Sequence, residues 1–507
     1  LTAILGLTIA SMLVWNVASG DSGTGAAGSR SGGPEHRTRV APRSPPAERS
    51  PTPGTTPGTG VTPSKPINTK IPGLTTWRGN ATRTYYGEGP VPKHPRILWS
   101  YPENGALCAA STAGSETKTW CGTGWTGQPN VIPHQDGTIE IRQGAYDDHY
   151  HFLNGRTGEP LRQDLVTGDL AKGSATSDPD GYPLYYGGSR DNLLRVIAVD
   201  RQPPAVLWSF DSRSQPGWMW NSDWDGAPLV IGDYLLEGGE NSWFYVIRLH
   251  RHYDAKHLVQ VSPKIVMRVP GWDDQLLSDI GDGDISIESS VAYDAKRGVV
   301  YFANSGGLVQ GWDISDVVQG GSHFKRVFRF WTGDDTDATV VIGRSGALYV
   351  GSEYQRFDSR SQEVGQIMKL DPRKPLNPLV WSLHATDVAF EEAGGTWSTP
   401  ALYGPWVYES TVDGRLMQIN AETGHVTWTL DLAAPVLSSP VVVDGVLIQG
   451  DCSGVLRAWD VGSDPLHRPK LRWEVSLGSC IESTPAVWHG MLWVGTRGGK
   501  IYGMGDR

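Results

Sequence analysis

Apolar residues in this chain fall in short runs parted by tight polar turns, and the runs recur in a fixed order. At the C-terminal end PAVW, MLWVGT and KIYGM are separated by His489-Gly490 and by Arg497-Gly498-Gly499, which predicts one hairpin running straight into another. No stretch keeps a heptad or a long amphipathic helical period, so the body of the chain is expected to be built of strands. A unit of roughly 35 to 65 residues repeats along it. The unit opens at TGQPNVI, DGYPLYY, DGAPLVI, ESSVAYD, DATVVIG, STPALYG, SSPVVVD and STPAVWH, which makes eight openings. Each leads to a second strand, a turn rich in Gly, Asn or Asp, and a third strand, and LRAWDVGSDPLHRPKLRWEV carries a third and a fourth.

Four-stranded antiparallel units repeated this often predict an all-β fold, an eight-bladed β-propeller over residues 75–507. The last unit ends without a fourth strand, whereas PRILWSY, ahead of the first unit, is a strand without a blade. Its Trp99 is placed like Trp428 and Trp473 in their units. It is therefore expected to serve as the outer strand of blade eight, fastening the ring and removing an unpaired edge.

INAETGHVTW, from Ile419 to Trp428, resembles the AxDxxTGxxxW docking repeat of the pyrroloquinoline-quinone-type propellers, with Asn420 where Asp is usual. That family holds quinoprotein alcohol dehydrogenases as well as the non-catalytic lipoprotein of the bacterial outer-membrane assembly machinery. The resemblance implies that Trp208, Trp381, Trp428 and Trp473 pack between blades. It leaves two functions open: a binding or scaffold module, or a dehydrogenase of alcohols or sugars that uses the quinone with Ca²⁺.

Because strand direction alternates, the start of each inner strand and each turn between second and third strands share one face of the disc, here the top. Three residues before the aligned Pro or Val of the openings stand Thr126, Asp180, Asp225, Glu288, Asp337, Trp397, Leu437 and Glu482. Two residues further back, on the same side of an extended chain, come Asp178, Asp223 and Asp335. These acids predict a double arc at the channel mouth, suited to a cation such as Ca²⁺ or to a cationic ligand. Asp before a strand also caps backbone amides in an Asx turn, which is the plain structural alternative. For the quinone, Trp397 would stack, and Arg190 and Arg497 on top-side turns would meet its carboxylates. The acidic arc repels such a polycarboxylate, and no two cysteines are adjacent as in the quinoprotein alcohol dehydrogenases. A binding module, with an envelope protein or a cationic ligand at its top face, is accordingly the reading preferred over the quinone enzyme.

Residues 1–18, LTAILGLTIASMLVWNVA, are apolar over about the ~18 residues of a membrane span and are read as a single-pass anchor with an extracytoplasmic body, or else as a signal segment. Residues 19–74 are rich in Gly, Pro, Ser and Thr and read as a disordered linker. The formal charge of −10, without clustered Lys and Arg, excludes nucleic acid as a partner. Cys108, Cys121, Cys452 and Cys480 form no CxxC pair and read as disulfide cysteines in preference to zinc ligands; their positions allow Cys108 with Cys121 and Cys452 with Cys480, with free thiols as the alternative and the pairing left open. His149 and His151 of HYHF have no third clear ligand and are read as exposed polar side chains in preference to a metal site.

Overall fold

Strand-length apolar runs separated by turns fold here into eight sheets around one axis. The computed structural model describes residues 64–113, 116–125, 127–390 and 393–506. The inner strands of blades one to eight are Asn130–Pro133, Thr176–Ser177, Leu229–Ile231, Ala292–Asp294, Val341–Ile342, Ala401–Tyr403, Val441–Val443 and Ala486–Trp488. Seven blades are four-stranded and antiparallel, and the eighth carries a fifth strand.

The ring closes as the orphan strand predicted. Arg96–Tyr101 pairs antiparallel with Lys500–Gly505, placing Ser100 opposite Tyr502 and Trp99 opposite Gly503. The outer pair of blades two to seven also has a register shift at an equivalent place, such as Gln418/Ile419 and Ala458/Trp459, and the clasp has its own at Ile97/Trp99. A bulge there adds twist to the outer strand. The docking motif explains the tryptophans. Gly424 (φ +75°) leaves no space for a side chain against Trp381 of the preceding blade, and Gly158 (φ +77°) does the same against Trp99. Trp99 Nε1–H also donates to Gly155 O at 2.9 Å, so the clasp is docked on blade one like any other blade.

Residues 74–88 fill the channel from the face opposite the mouth. Leu74 N–H donates to Val131 O of blade one, Thr75 O accepts from Ser177 of blade two, and Ala81 O and Thr82 O accept from Tyr293 and Ile342 of blades four and five. Tyr86 Oη accepts from Leu402 N–H of blade six at 2.7 Å. Gly87–Glu88 then runs parallel to the inner strand of blade eight, where a side chain at Gly87 would strike Val487 O. Two fully buried arginines stand at the centre of this plug. Arg78 donates to Thr399 O and Pro400 O, and Arg83 to Val291 O, Trp77 O and Ala227 O. Residues 64–74, which composition places in the linker, lie on the same face, with Ile67 N–H donating to Gly79 O at 2.9 Å.

The expectation of a single-pass anchor is corrected. Residues 1–18 lie outside the described residues, and among the described residues no helix is long and apolar enough to cross a membrane. Cys108 is bridged to Cys121 and Cys452 to Cys480, which settles the pairing the sequence left open.

Candidate functional site

A chain of hydrogen bonds between neighbouring blades fixes which residues are equivalent around the mouth. Gln128 N–H donates to Ser174 Oγ, Ala227 to Ser290, Ser290 to Thr339, Thr339 to Thr399 and Thr399 to Ser439, at 2.7 to 3.1 Å. Two residues before these latches stand Lys172, Asp225, Glu288, Asp337, Trp397 and Leu437 in blades two to seven. The register agrees with the sequence reading except in blade two, where Lys172 takes the place assigned to Asp180. DPDGYP is the turn after the short inner strand Thr176–Ser177, so it lies on the opposite face. There Asp178 and Asp180 are held by Arg251 at 2.6 and 3.1 Å, and neither joins the arc.

The arc resolves into two chemically identical triads, on blades three and five. Asp223, Asp225 and Glu240 form one, and Asp335, Asp337 and Glu353 the other; within each, one oxygen per residue lies within 4.8 Å of the others. Both follow one pattern: Asp-x-Asp ahead of the inner strand, then an acid two residues beyond the glycine that ends the second strand, in LLEGGE and LYVGSE. Glu240 and Glu353 were missed in the sequence, although that shared Gly-x-Glu was the signal, and the turn after the second strand belongs to the top face.

The neighbouring blade decides what each triad holds. In blade three the ammonium of Lys172 lies 2.5 Å from Asp225 Oδ2, 3.0 Å from Glu240 Oε1 and 3.4 Å from Asp223 Oδ2. Burial opposes charge on this lysine, but Asp225 and Glu240 hold its pKa well above the ordinary value. Arg190 adds a second cation, 2.7 Å from Asp223. Burial still pushes Asp223 up to about 6 and Glu240 up to about 7.

In blade five the position of Lys172 is taken by Glu288, so a fourth carboxyl replaces the ammonium. Burial first, and neighbouring carboxylates second, push Asp335, Asp337 and Glu353 well above the carboxylate range, and Glu288 up to about 8. Asp335 Oδ2 accepts from Gln355, while Asp335 Oδ1 and Asp337 Oδ1 are buried without a hydrogen-bond partner. Arg356, whose charge acts on Asp335, is bonded to Asp282 at 2.9 Å and approaches Asp284 at 3.5 Å. Buried carboxylates without a counter-charge are costly, and a hard cation with several oxygen ligands is the group that offsets them. The donor set fits such an ion.

The remaining predicted residues have other employment. Arg190 and Arg497 both lie over Trp120, 5.4 and 5.3 Å from its ring, and Arg497 also approaches Glu482 at 3.5 Å. Trp120 sits on the hairpin of Cys108–Ala113 and Glu116–Cys121, closed at its base by the Cys108–Cys121 bridge. Trp397 is packed by Trp125 at 5.5 Å and by the edge of Phe390 at 5.8 Å, in a patch that includes the Cys452–Cys480 bridge. Both arginines are thus engaged within the protein, and Trp397 is packed by two aromatic rings.

The fold is an eight-bladed β-propeller, and its docking repeats are similar to those of the pyrroloquinoline-quinone-type propellers. Residues 365–505 match the PQQ_2 family model, described as outer membrane protein assembly factor BamB. Among solved structures, the chain is similar to a europium-containing methanol dehydrogenase, with a TM-score of 0.55 and 14% identity over 86% of this chain and 98% of that one. It is similar to BamB from Moraxella catarrhalis, with a TM-score of 0.51 and 16% identity over 74% of this chain and 96% of that one. A quinohemoprotein alcohol dehydrogenase from Comamonas testosteroni gives a TM-score of 0.58 and 12% identity over 86% and 81%. At these identities the likeness is one of fold. None of the curated proteins matches the chain in sequence.

Proposed function

We propose that this propeller is a binding module whose top mouth holds one hard cation, Ca²⁺ or a trivalent ion, on Asp335, Asp337, Glu353 and Glu288. The observation that carries the reading is the contrast between the two triads. Blades three and five present the same three acids; the first is filled by the ammonium of Lys172, whereas the second faces Glu288, and among the described residues no lysine or arginine forms an ion pair with Asp335, Asp337 or Glu353. The ion would neutralise the second triad and present a fixed charge to a partner at the top face.

The test is titration of the purified protein with Ca²⁺ by calorimetry and with Tb³⁺ by luminescence, using nearby Trp397 as the sensitising ring. One ion per chain is expected, lost in the Asp337→Asn/Glu353→Gln variant. Absence of both signals in the parent protein would sink the proposal.

A second reading has its own support, since Lys172 demonstrates that an ammonium fits such a triad. A lysine or amine from a partner would then occupy the blade-five site. In that case a lysine-rich peptide binds the parent protein and not the double variant, while Ca²⁺ and Tb³⁺ give no saturable signal.

A further inference from the structure

The face opposite the acidic mouth carries a cavity of about 680 Å³, a size within the range of small-molecule sites. Its inner wall is the plug, at Asn80, Thr82, Thr84 and Tyr85, and its outer wall is the row of turns between the first and second strands of blades four to seven. The cavity therefore exists only because residues 74–88 fold into the channel.

Its chemistry is opposite to that of the mouth. Lys65, Lys296, Arg297 and Arg344 line it, against two carboxylates, Asp294 and Asp444, in a chain of net charge −10. Asp294 is already engaged, since it accepts from Lys296 N–H at 3.0 Å and from Arg297 Nη1 at 3.2 Å. Besides these charges and the hydroxyl and amide groups of the plug, the wall presents flat aromatic side chains, Tyr85, Tyr349, Tyr403 and Trp406, with Leu402 beside them.

The walls are held in place before any ligand arrives. Arg297 Nη1 spans from its own turn to Gly346 O of blade five at 3.1 Å, Tyr349 Oη donates to Ala421 O at 3.2 Å, and Tyr86 Oη is fixed on Leu402 N–H. A preformed site with a cationic rim and aromatic walls selects a ligand that is charged at one end and planar at the other.

We infer that this cavity binds a small organic anion, a carboxylate, phosphate or sulfonate on a planar apolar body, independently of the cation at the top. The probe is 8-anilinonaphthalene-1-sulfonate, followed by its fluorescence, with phenyl phosphate and phenol as competitors. The expected result is saturable binding that phenyl phosphate displaces and phenol does not. Charge reversal in the Lys296→Glu/Arg344→Glu variant, both residues being exposed on turns, should weaken binding about tenfold or more, while circular dichroism and the melting temperature report an intact fold. The inference is overturned if the dye fails to bind the parent protein, if the double variant binds it equally well, or if phenol displaces it as effectively as phenyl phosphate.

Discussion

The Lys172 ammonium stands 2.5 Å from Asp225 Oδ2, at the point in blade two that corresponds to Glu288 in blade four. One residue type thus distinguishes a self-neutralised acidic triad from one that needs an ion. Lys172→Met should destabilise the protein by about 3–5 kcal/mol in ion-free buffer, the usual consequence of removing one partner of a buried ion pair. Added Ca²⁺ should recover part of that loss, and calorimetry should count two ions per chain in place of one.

The converse substitution makes the opposite prediction. Glu288→Lys places an ammonium beside Asp335, Asp337 and Glu353, so it should abolish Ca²⁺ and Tb³⁺ binding and raise the melting temperature in the presence of chelator. Unchanged ion binding in this variant would show that the ion is held elsewhere.

His151 couples blade one to the clasp and supplies a pH-dependent part of stability. Contrary to its reading as an exposed side chain, it is buried, with Asp147 Oδ1 and Asp164 Oδ2 each 3.0 Å from a ring nitrogen, and Tyr101 of the clasp packs its ring edge against the imidazole. Burial opposes protonation, but the two carboxylates prevail and raise the pKa from 6.5 to about 9. Because the folded value exceeds the unfolded one, the contribution of about 3 kcal/mol is complete below pH 6.5 and disappears as pH rises through 9. Urea unfolding at pH 6 and pH 9.5 should show this loss, and His151→Gln should flatten that part of the profile.

Closure of the ring rests on Trp99. Trp99→Ala removes the ring that covers Gly158 and the bond to Gly155 O, and should cost about 3–5 kcal/mol. Limited proteolysis should then cut first near residues 92–104, at the clasp.

Arg83 tests the plug. Its guanidinium donates to Val291 O, Trp77 O and Ala227 O, and its charge acts on the buried Glu237, whose carboxyl burial pushes well above the usual range. Arg83→Met should destabilise by about 3–5 kcal/mol, and adding Glu237→Gln should return part of it, a coupling that a double-mutant cycle measures directly.

Much of this architecture was legible in the sequence because a propeller repeats local signals. Apolar runs, turn glycines and the Thr-Gly…Trp motif each act within one blade or between neighbours. Blade two misled because its inner strand is only Thr176–Ser177, two polar residues, so the pattern locked onto the apolar second strand Leu184–Gly188 and shifted the register. The slip turned a lysine into an aspartate and hid the difference between the triads. The plug left no local trace, since residues 74–88 are ordered by bonds to strands as much as 400 residues away, such as that of Gly87–Glu88 with Ala486–Trp488. The employment of Arg190 and Arg497 was equally hidden, because Trp120 reaches them from a hairpin with no counterpart in the other blades.

The course of the amino-terminal segment also dictates an order of assembly. Residues 74–88 lie on the axis and Arg96–Tyr101 completes the final sheet, so neither stretch has its full set of neighbours until Lys500–Gly505 has been made. A chain emerging from the ribosome must keep residues 74–101 waiting while seven blades form. Lys500–Gly505 is then the strand that locks the axis and the rim together in a single step.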